Sequence, residues 1–305
     1  MCGRCQLQGW AKHKGSCVTP EDRVARVIKA VNAEIPEAQA RWDSATVIKL
    51  GLRTVEDFAR CVWTSSSRAD SLTIDLHDQL GRAHSRSGFF GEAAHHYEQA
   101  SFACARTEEF ARQGLLLANK ADMQYAGGEF EAAMGTFAQV EHLGEKGGYF
   151  DLYSRACIGR ARCARKSGDK DGAMVMAQES LKAASLMLDG QFGQQRMEAA
   201  ALLVVCNLSD MYAVTFDDSL LNRLLKLSEA VEQDAREGGT TMHIYALELV
   251  GRRHLAMGRS KVGAAAYRRV LRLAADKRFS GMEDIANTVK AVKEMLENVD
   301  FFGLG

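Results

Sequence analysis

Small and apolar residues recur along the middle of the chain at a fixed interval of 40 residues. The first copy has two stretches of helical periodicity separated at Gly88, and the second stretch carries Ala93 and Tyr97. The same order returns around Gly128 and around Gly168. Because one helix pair cannot bury its apolar face alone, this period predicts an α-solenoid of stacked helix pairs.

The residues within one copy indicate how its two helices pack. Gly81 and Ala93 fall where two helices joined at Gly88 would approach each other closely, and Tyr97 would fill the gap beside that contact. Ala133 and Ala173 follow Ala93 at steps of 40 residues. We therefore expect these alanines to be buried at the helix contacts.

The pattern weakens outside these three copies. A fourth, divergent copy lies around Leu202 to Ala230, and a clearer fifth copy is centred on Gly258, between Gly251 and Tyr267. Double glycines predict turns between helices, at Gly127-Gly128, Gly147-Gly148 and Gly238-Gly239. A last helix, Met282 to Val299, reads as the polar cap of the solenoid.

Before the repeats, residues 38–50 and 54–64 predict two helices that are divided at Gly51. Thr54, with an acid three residues later, is the expected N-cap of the second of these helices. The two could form a degenerate first repeat. We expect four regions in total, which are residues 1–18, residues 19–66, the repeat array 67–278, and the capping helix with its tail at 279–305.

The pattern Leu-Gly-x2-aromatic followed by Ala-x3-aromatic resembles that of tetratricopeptide repeats, although the period here is 40 residues and not 34. The resemblance covers about two thirds of the chain. It implies an array that binds a peptide or a helix of another protein on the concave face built from the first helix of each pair.

Composition supports an all-α fold and limits the function. Pro20 and Pro36 are the two prolines of the sequence, so the rest of the chain is free to be helical. The formal net charge is zero, which gives no electrostatic case for binding nucleic acid or an acidic membrane. No signal-peptide core or membrane-length apolar run occurs, and we expect a cytoplasmic or nuclear protein with reduced cysteines.

The first seventeen residues carry a dense cluster of metal-ligand types. Cys2, Cys5, His13 and Cys17 lie within sixteen positions, and thiolate with imidazole at these spacings suits tetrahedral zinc. The alternative is a frayed terminus with unrelated cysteines. The other cysteines, among them Cys104 and Cys206, stand among apolar residues and are expected to fill the core.

The same cluster is similar to the carboxy-terminal half of a MYND-type zinc finger. Cys5-Gln6, Trp10, His13-Lys14 and Cys17 match that family in type and spacing, whereas Cys2 is one residue closer to Cys5 than the family's pattern. The family binds two zinc ions and has two earlier cysteine pairs that this chain lacks. Either the chain is an incomplete version of a longer protein, which we favour, or the four ligands close on one zinc.

We expect no enzymatic activity, no small-molecule substrate and no catalytic residue. The sequence has no phosphate-binding glycine loop, nucleophile elbow or zinc-protease motif. His95 and His96 are adjacent on a helix and are interpreted as a solvated pair. The resemblance to the MYND-type zinc finger implies one alternative function, which is a subunit or remnant of a MYND-containing protein lysine methyltransferase.

The expected function is a protein-interaction scaffold. On the tetratricopeptide resemblance, the predicted partner-binding residues of the third copy are Arg155, Ile158, Arg162, Arg165 and Lys166. Their charges predict an acidic segment as the partner. The alternative is a charged face that is only solvated. The equivalent positions include Asp75, Asp78 and Arg82 in the first copy, and Leu115, Ala118, Asp122 and Tyr125 in the second.

Overall fold

The computed structural model describes residues 20–61, 63, 65–187, 192–211, 218–233, 237–276, 279 and 282–301. Across these residues the regular structure is helical and no strand occurs. Within residues 20–147, and again within residues 148–301, successive helices pack against each other in the order of the chain. The predicted all-α fold, with helix pairs stacked one after another, is confirmed. None of the helices in this described part is long and apolar enough to cross a membrane.

The chain divides into two compact units, with the boundary between Gly147 and Gly148. In the first unit the helices are α1 (Pro20–Lys29), a π-helical turn (Ala30–Glu34), α2 (Ile35–Ala40), α3 (Ser44–Ala59), α4 (Ser66–Arg86), α5 (Phe90–Arg106), α6 (Phe110–Ala126) and α7 (Phe130–Gly147). In the second unit they are α8 (Phe150–Ser167), α9 (Lys170–Ser185), α10 (Phe192–Met211), α11 (Asp218–Gln233), α12 (Glu237–Ala256), α13 (Ser260–Ala274) and α14 (Glu283–Phe301).

The glycines that define the copies sit at the turns inside the helix pairs. Gly88 joins α4 to α5, Gly128 joins α6 to α7, and Gly168 joins α8 to α9, with φ angles of 78°, 84° and 84°. Gly258, with a φ angle of 72°, does the same between α12 and α13. This left-handed conformation is favourable for glycine, which explains why the pattern repeats that residue.

The predicted alanine contacts are also confirmed. Ala93, Ala133 and Ala173 are each completely buried. A Cβ atom placed on Gly81 would lie 2.8 Å from Cε1 of Tyr97, and one on Gly251 would lie 2.4 Å from Cδ1 of Tyr267. Both tyrosine rings are buried. The glycine lets the ring of the second helix lie directly on the backbone of the first.

The prediction of two helices before the repeats is wrong. Helix α3 runs unbroken through Gly51 and Thr54, and Asp43 caps it by accepting a hydrogen bond from the Thr46 amide at 3.0 Å. Thr54 lies inside the helix, where its hydroxyl donates to the Leu50 carbonyl at 2.7 Å. Gly51 is a packing residue, since a Cβ atom there would lie 2.4 Å from Cδ2 of Leu80 on α4.

A second predicted turn is also wrong. Gly238 and Gly239 lie within α12, so the helix begins earlier than the double glycine indicated. The final helix is close to its predicted bounds, Glu283–Phe301 in place of Met282 to Val299. Its buried side, with Ile285, Val292 and Leu296, joins the apolar core of the second unit. A capping helix therefore contributes to the core as well as covering it.

Candidate functional site

The first helices of successive pairs in the second unit contact one another. Helix α8 contacts α10, α10 contacts α12, and α12 contacts α14, in addition to the contacts that each makes with its neighbour in sequence. These four helices therefore form one layer of the second unit. A ligand that lay across this layer would touch several helices at once, which is the arrangement that the repeat pattern predicts.

The five predicted partner-binding residues all lie on α8. Leu152, Ala156, Gly159 and Cys163 form one buried row of this helix, and Ser154, Cys157, Ala161 and Ala164 form another. Between the two rows, Arg155, Ile158, Arg162 and Arg165 make a half-buried strip, and Lys166 is exposed beside it. The spacing of three and four residues places the strip on one face, as predicted.

Two residues of this strip reach toward other helices of the layer. The Arg165 guanidinium lies 3.6 Å from the sulfur of Met211 on α10, and half of the Met211 side chain is exposed. Burial raises the pKa of Tyr245 on α12 to about 12, with a further increase from Asp284 on α14 and an opposing effect of Arg162. Charges on α8 and α14 thus act on the same phenol.

Arg252 on α12 holds the middle of the layer together. Its Nη2 donates to Oδ1 of Asn207 on α10 at 2.9 Å, and its Nε lies 3.3 Å from Oδ2 of Asp210 and 3.6 Å from Oε1 of Glu248. Burial raises the pKa of Glu248, and Arg252 opposes that increase. Asp210 and Glu248 are therefore already engaged within the layer.

Sequence reasoning missed the α12 residues of this surface. Gly251 corresponds to Ala161, since each is the small residue at its helix contact. Aligned on that pair, Tyr245, Glu248 and Arg252 take the positions of Arg155, Ile158 and Arg162. The fifth copy contains the glycines and the tyrosine that define a repeat. It follows the third copy by 90 residues, which is not a multiple of 40, so a search at a period of 40 does not align the two copies.

In the first unit the corresponding positions differ in character. Asp75 on α4 accepts a hydrogen bond from Arg112 of α6 at 2.5 Å, and Asp78 pairs with Arg82 at 2.8 Å. Ala118 was predicted to face the ligand, but it is completely buried. Its small side chain is part of the packing of α6, so helical periodicity alone misplaced it. Leu115 is exposed, as that prediction requires.

The predicted metal ligands Cys2, Cys5, His13 and Cys17 lie outside the described residues. Within the part that the structure does describe, no group of three or more metal-ligating side chains could hold an ion. Cys104 and Cys206 are completely buried, and burial raises the pKa of their thiols to about 11 and about 12. They fill the core, as predicted, and are poor nucleophiles there.

The histidine interpretation needs a correction. His95 is exposed, but the neighbouring His96 is 8% exposed and lies against His77 of α4. The two adjacent residues therefore are not a solvated pair. Position along a helix separates neighbours by about 100°, so one can face solvent while the other faces the next helix.

The comparisons with known proteins support the fold. No protein-family model matches the sequence, and no curated protein matches it. Solved structures do match, among them the crystal structure of BtubC (BKLC) from P. vanneervenii. That alignment has a TM-score of 0.55 and 16% sequence identity, and it covers 75% of this chain and 89% of that chain. At this identity the similarity establishes a shared helical fold.

Proposed function

We propose that this protein is a non-enzymatic interaction scaffold of the tetratricopeptide type, which binds a peptide or a helix of a partner protein in the cytoplasm or nucleus. The observation that carries the proposal is the strip of Arg155, Ile158, Arg162 and Arg165 on α8. It lies between two buried rows of the helix and belongs to a layer of contacting first helices.

The chemistry of the strip favours an acidic segment with an apolar residue as the partner. Arginine binds carboxylates through a planar fork of donors, which makes it suited to acidic peptides. Ile158, Met211 and Tyr245 add apolar surface beside the cations. Aromatic and methionine side chains next to arginine are typical of protein–protein interfaces.

The test is binding of a panel of acidic fifteen-residue peptides, with and without a central leucine or tryptophan, measured by fluorescence anisotropy. Binding should weaken as salt rises, because exposed charges are screened over about 8 Å at physiological ionic strength. Arg162→Glu should lower affinity by about tenfold, equivalent to about 1.4 kcal/mol. The melting temperature of each variant is measured as well, so that a loss of binding is separated from a loss of stability.

Lys182→Glu is the matched control. It makes the same change of charge on α9, which is the second helix of the pair, and Lys182 is exposed. Its affinity should equal that of the wild type. Equal weakening by both variants, or binding that ignores both salt and Arg162→Glu, would show that the strip is only a solvated charged face.

We also propose that residues 1–17 bind zinc through Cys2, Cys5, His13 and Cys17, as the resemblance to half of a MYND-type finger implies. Thiolate and imidazole are the ligand types that zinc prefers. Zinc would act as a structural ion there and take no part in a reaction. The zinc proposal is independent of the α8 strip, and either can fail without the other.

A further inference from the structure

Three histidines meet where α4 packs against α5. Nδ1 of His77 on α4 lies 2.9 Å from Nδ1 of His96 on α5, with ring centroids 5.1 Å apart. His84, two turns after His77 on α4, has its ring centroid 5.2 Å from that of His96. His96 thus lies between the other two rings. His84 and His96 are 7% and 8% exposed.

The hydrogen bond between the two Nδ1 atoms is possible only if one of the rings is neutral. One nitrogen must donate a proton and the other must accept it with a lone pair. If both rings were protonated, two N–H groups would face each other at a separation of 2.9 Å. The contact between α4 and α5 therefore depends on the protonation state of these rings.

His84 makes the contact more sensitive still. Neither of its ring nitrogens has a hydrogen-bond partner in the structure, and both are buried. A second proton would add a buried positive charge and a further N–H group without an acceptor, which is unfavourable in a site closed to water.

The charges around the cluster oppose protonation of His77 and His96 and favour protonation of His84. Burial lowers the pKa of His77 and His96, and His95 on α5 lowers it further. Burial also lowers the pKa of His84, whereas Glu92 on α5 raises it. On α6, Arg112 and Lys120 are bonded to Asp75 and Glu98. The other charged residues of these helices are Arg68, Asp70, Asp78, Arg82 and Arg86 on α4, Arg106 on α5 and Asp122 on α6. On the elements packed against α4 from the other side they are Glu34 in the π-helical turn, Glu37 on α2, and Lys49, Arg53, Glu56 and Asp57 on α3.

We propose that the α4–α5 contact is an acid-sensitive element of the first unit, held closed by neutral His77, His84 and His96 and opened when these rings are protonated. Helix α4 also carries Asp75, Asp78 and Arg82, which correspond in the repeat to the α8 strip. Opening the contact would disturb that surface of the first unit. The inference does not depend on the proposed partner binding.

The direction of the effect follows from linkage. Burial lowers the pKa of His77 to about 4 and that of His96 to about 3, and it also lowers the pKa of His84. In an unfolded chain a histidine has a pKa of about 6.5. The stabilisation by the neutral rings is therefore complete above pH ~6.5 and is lost as pH falls from there toward the pKa values of the folded protein.

The first experiment follows the histidine rings directly in the whole protein. With ¹³C-labelled histidine, the ring signals of His77 and His96 should titrate near pH 4 and pH 3, well below the value of about 6.5 for a histidine in an unfolded chain. His142, which is exposed on α7, provides a reference signal outside the cluster. Signals are assigned with the single variants His77→Gln, His96→Gln and His142→Gln. Titration of His77 and His96 near 6.5 in the folded protein would overturn the proposal.

The second experiment locates the opening by hydrogen exchange. After correction for the intrinsic rate, amides of α4 and α5 should exchange on the order of tenfold faster at pH 5 than at pH 7.5, since the neutral rings lose their advantage over that interval. In His77→Gln/His96→Gln this difference should shrink, because glutamine cannot be protonated. His142→Gln should keep the full difference. An unchanged acid effect in the double variant would contradict the proposal.

A metal-binding cluster would give a different result. In that case Zn²⁺ added at pH 7.5 would slow exchange in α4 and α5, and His77→Gln would abolish the effect. We expect no effect of Zn²⁺ on these helices, because no three metal-ligating side chains of the described residues, these histidines included, are arranged to hold an ion. Protection by Zn²⁺ would replace the acid-sensitive element with a metal site.

Discussion

Single glycines and alanines control how closely the helices of this protein approach each other. Gly81 and Gly251 each lie under a buried tyrosine ring, and Gly51 lies under the side chain of Leu80. A side chain at any of these positions would meet heavy atoms at less than 3 Å. Because buried rings cannot move aside without disturbing their own neighbours, these positions tolerate little change.

Gly81→Ala should destabilise the first unit. The added methyl would lie 2.8 Å from the ring of Tyr97, and overpacking of this kind costs about 1–3 kcal/mol. Gly135→Ala on α7 is the matched control, since a Cβ atom there would meet nothing within 4 Å. The control should gain roughly 0.5–1 kcal/mol, as glycine is unfavourable inside a helix. Urea unfolding measures both, and a neutral Gly81→Ala would show that Tyr97 can move.

Single substitutions also test the proposed zinc ligands. The intact chain should bind at most one zinc ion, because four ligands cannot close two tetrahedral sites. Cys5→Ser, His13→Ala and Cys17→Ser should each lower the zinc content measured by elemental analysis after dialysis. Cys61→Ser should leave the content unchanged, since that residue lies between α3 and α4. Two tightly held ions would disprove the half-finger interpretation.

At the scale of one element, each repeat helix presents its faces differently. Helix α8 buries two rows and leaves a narrow strip between them, whereas α7 buries Ala133, Phe137 and Val140 along a single row. The difference follows from the helices packed around each one: α8 packs against both α9 and α10 in its unit, whereas α7 packs mainly against α6 in its own unit. The strip between the two buried rows of α8 is the surface on which we propose that the partner binds.

Ala133→Leu tests the packing of the buried face of α7. Ala133 is completely buried, and the larger side chain should cost about 1–3 kcal/mol. Ala132→Leu places the same side chain next to it in the sequence, at an exposed position of the same helix. Its effect on the free energy of unfolding should stay within about 0.5 kcal/mol. Equal losses in the two variants would mean that helix propensity, and not packing, decides the result.

Across the whole molecule, each unit contains a buried histidine contact that links stability to pH. In the second unit His243 is completely buried, and its Nδ1 lies 2.9 Å from the hydroxyl of Ser228. Burial lowers the pKa of His243 to about 4, Arg269 lowers it further, and Glu229 opposes them. Arg269 donates a hydrogen bond to Oε1 of Glu229 at 2.7 Å, so the two charges that act on His243 form an ion pair.

The free energy of unfolding should therefore fall as the solution is made acidic. A histidine with a lowered pKa in the folded state contributes stability above pH ~6.5, and that contribution is lost as pH falls toward about 4. For His243 we expect a loss of roughly 1–3 kcal/mol over that interval. Urea titrations between pH 7.5 and pH 4.5 measure it. His243→Gln should lose less, and His142→Gln should match the wild type.

The amino-acid sequence by itself determined the class of the fold and most of its repeats. The recurrence of Gly88, Gly128 and Gly168, with a buried alanine five residues after each, is a local signal, because each turn needs a glycine and each contact needs a small residue. The same periodicity placed Arg155, Arg162 and Arg165 on one face of a single helix. Each turn, each small contact residue and each helix face can be recognised within a segment of about twenty residues, without knowledge of the rest of the chain.

Only the tertiary structure decided which small residues break helices and which bring them together. Gly51 and the pair Gly238-Gly239 look like turns in the sequence but lie within α3 and α12. Packing stabilises a helix enough to override the low propensity of a glycine, which costs about 1 kcal/mol. Likewise, His96 meets His77 because α4 and α5 are packed together. A contact between side chains nineteen residues apart depends on the angle and register of two helices, and the sequence pattern leaves both of these open.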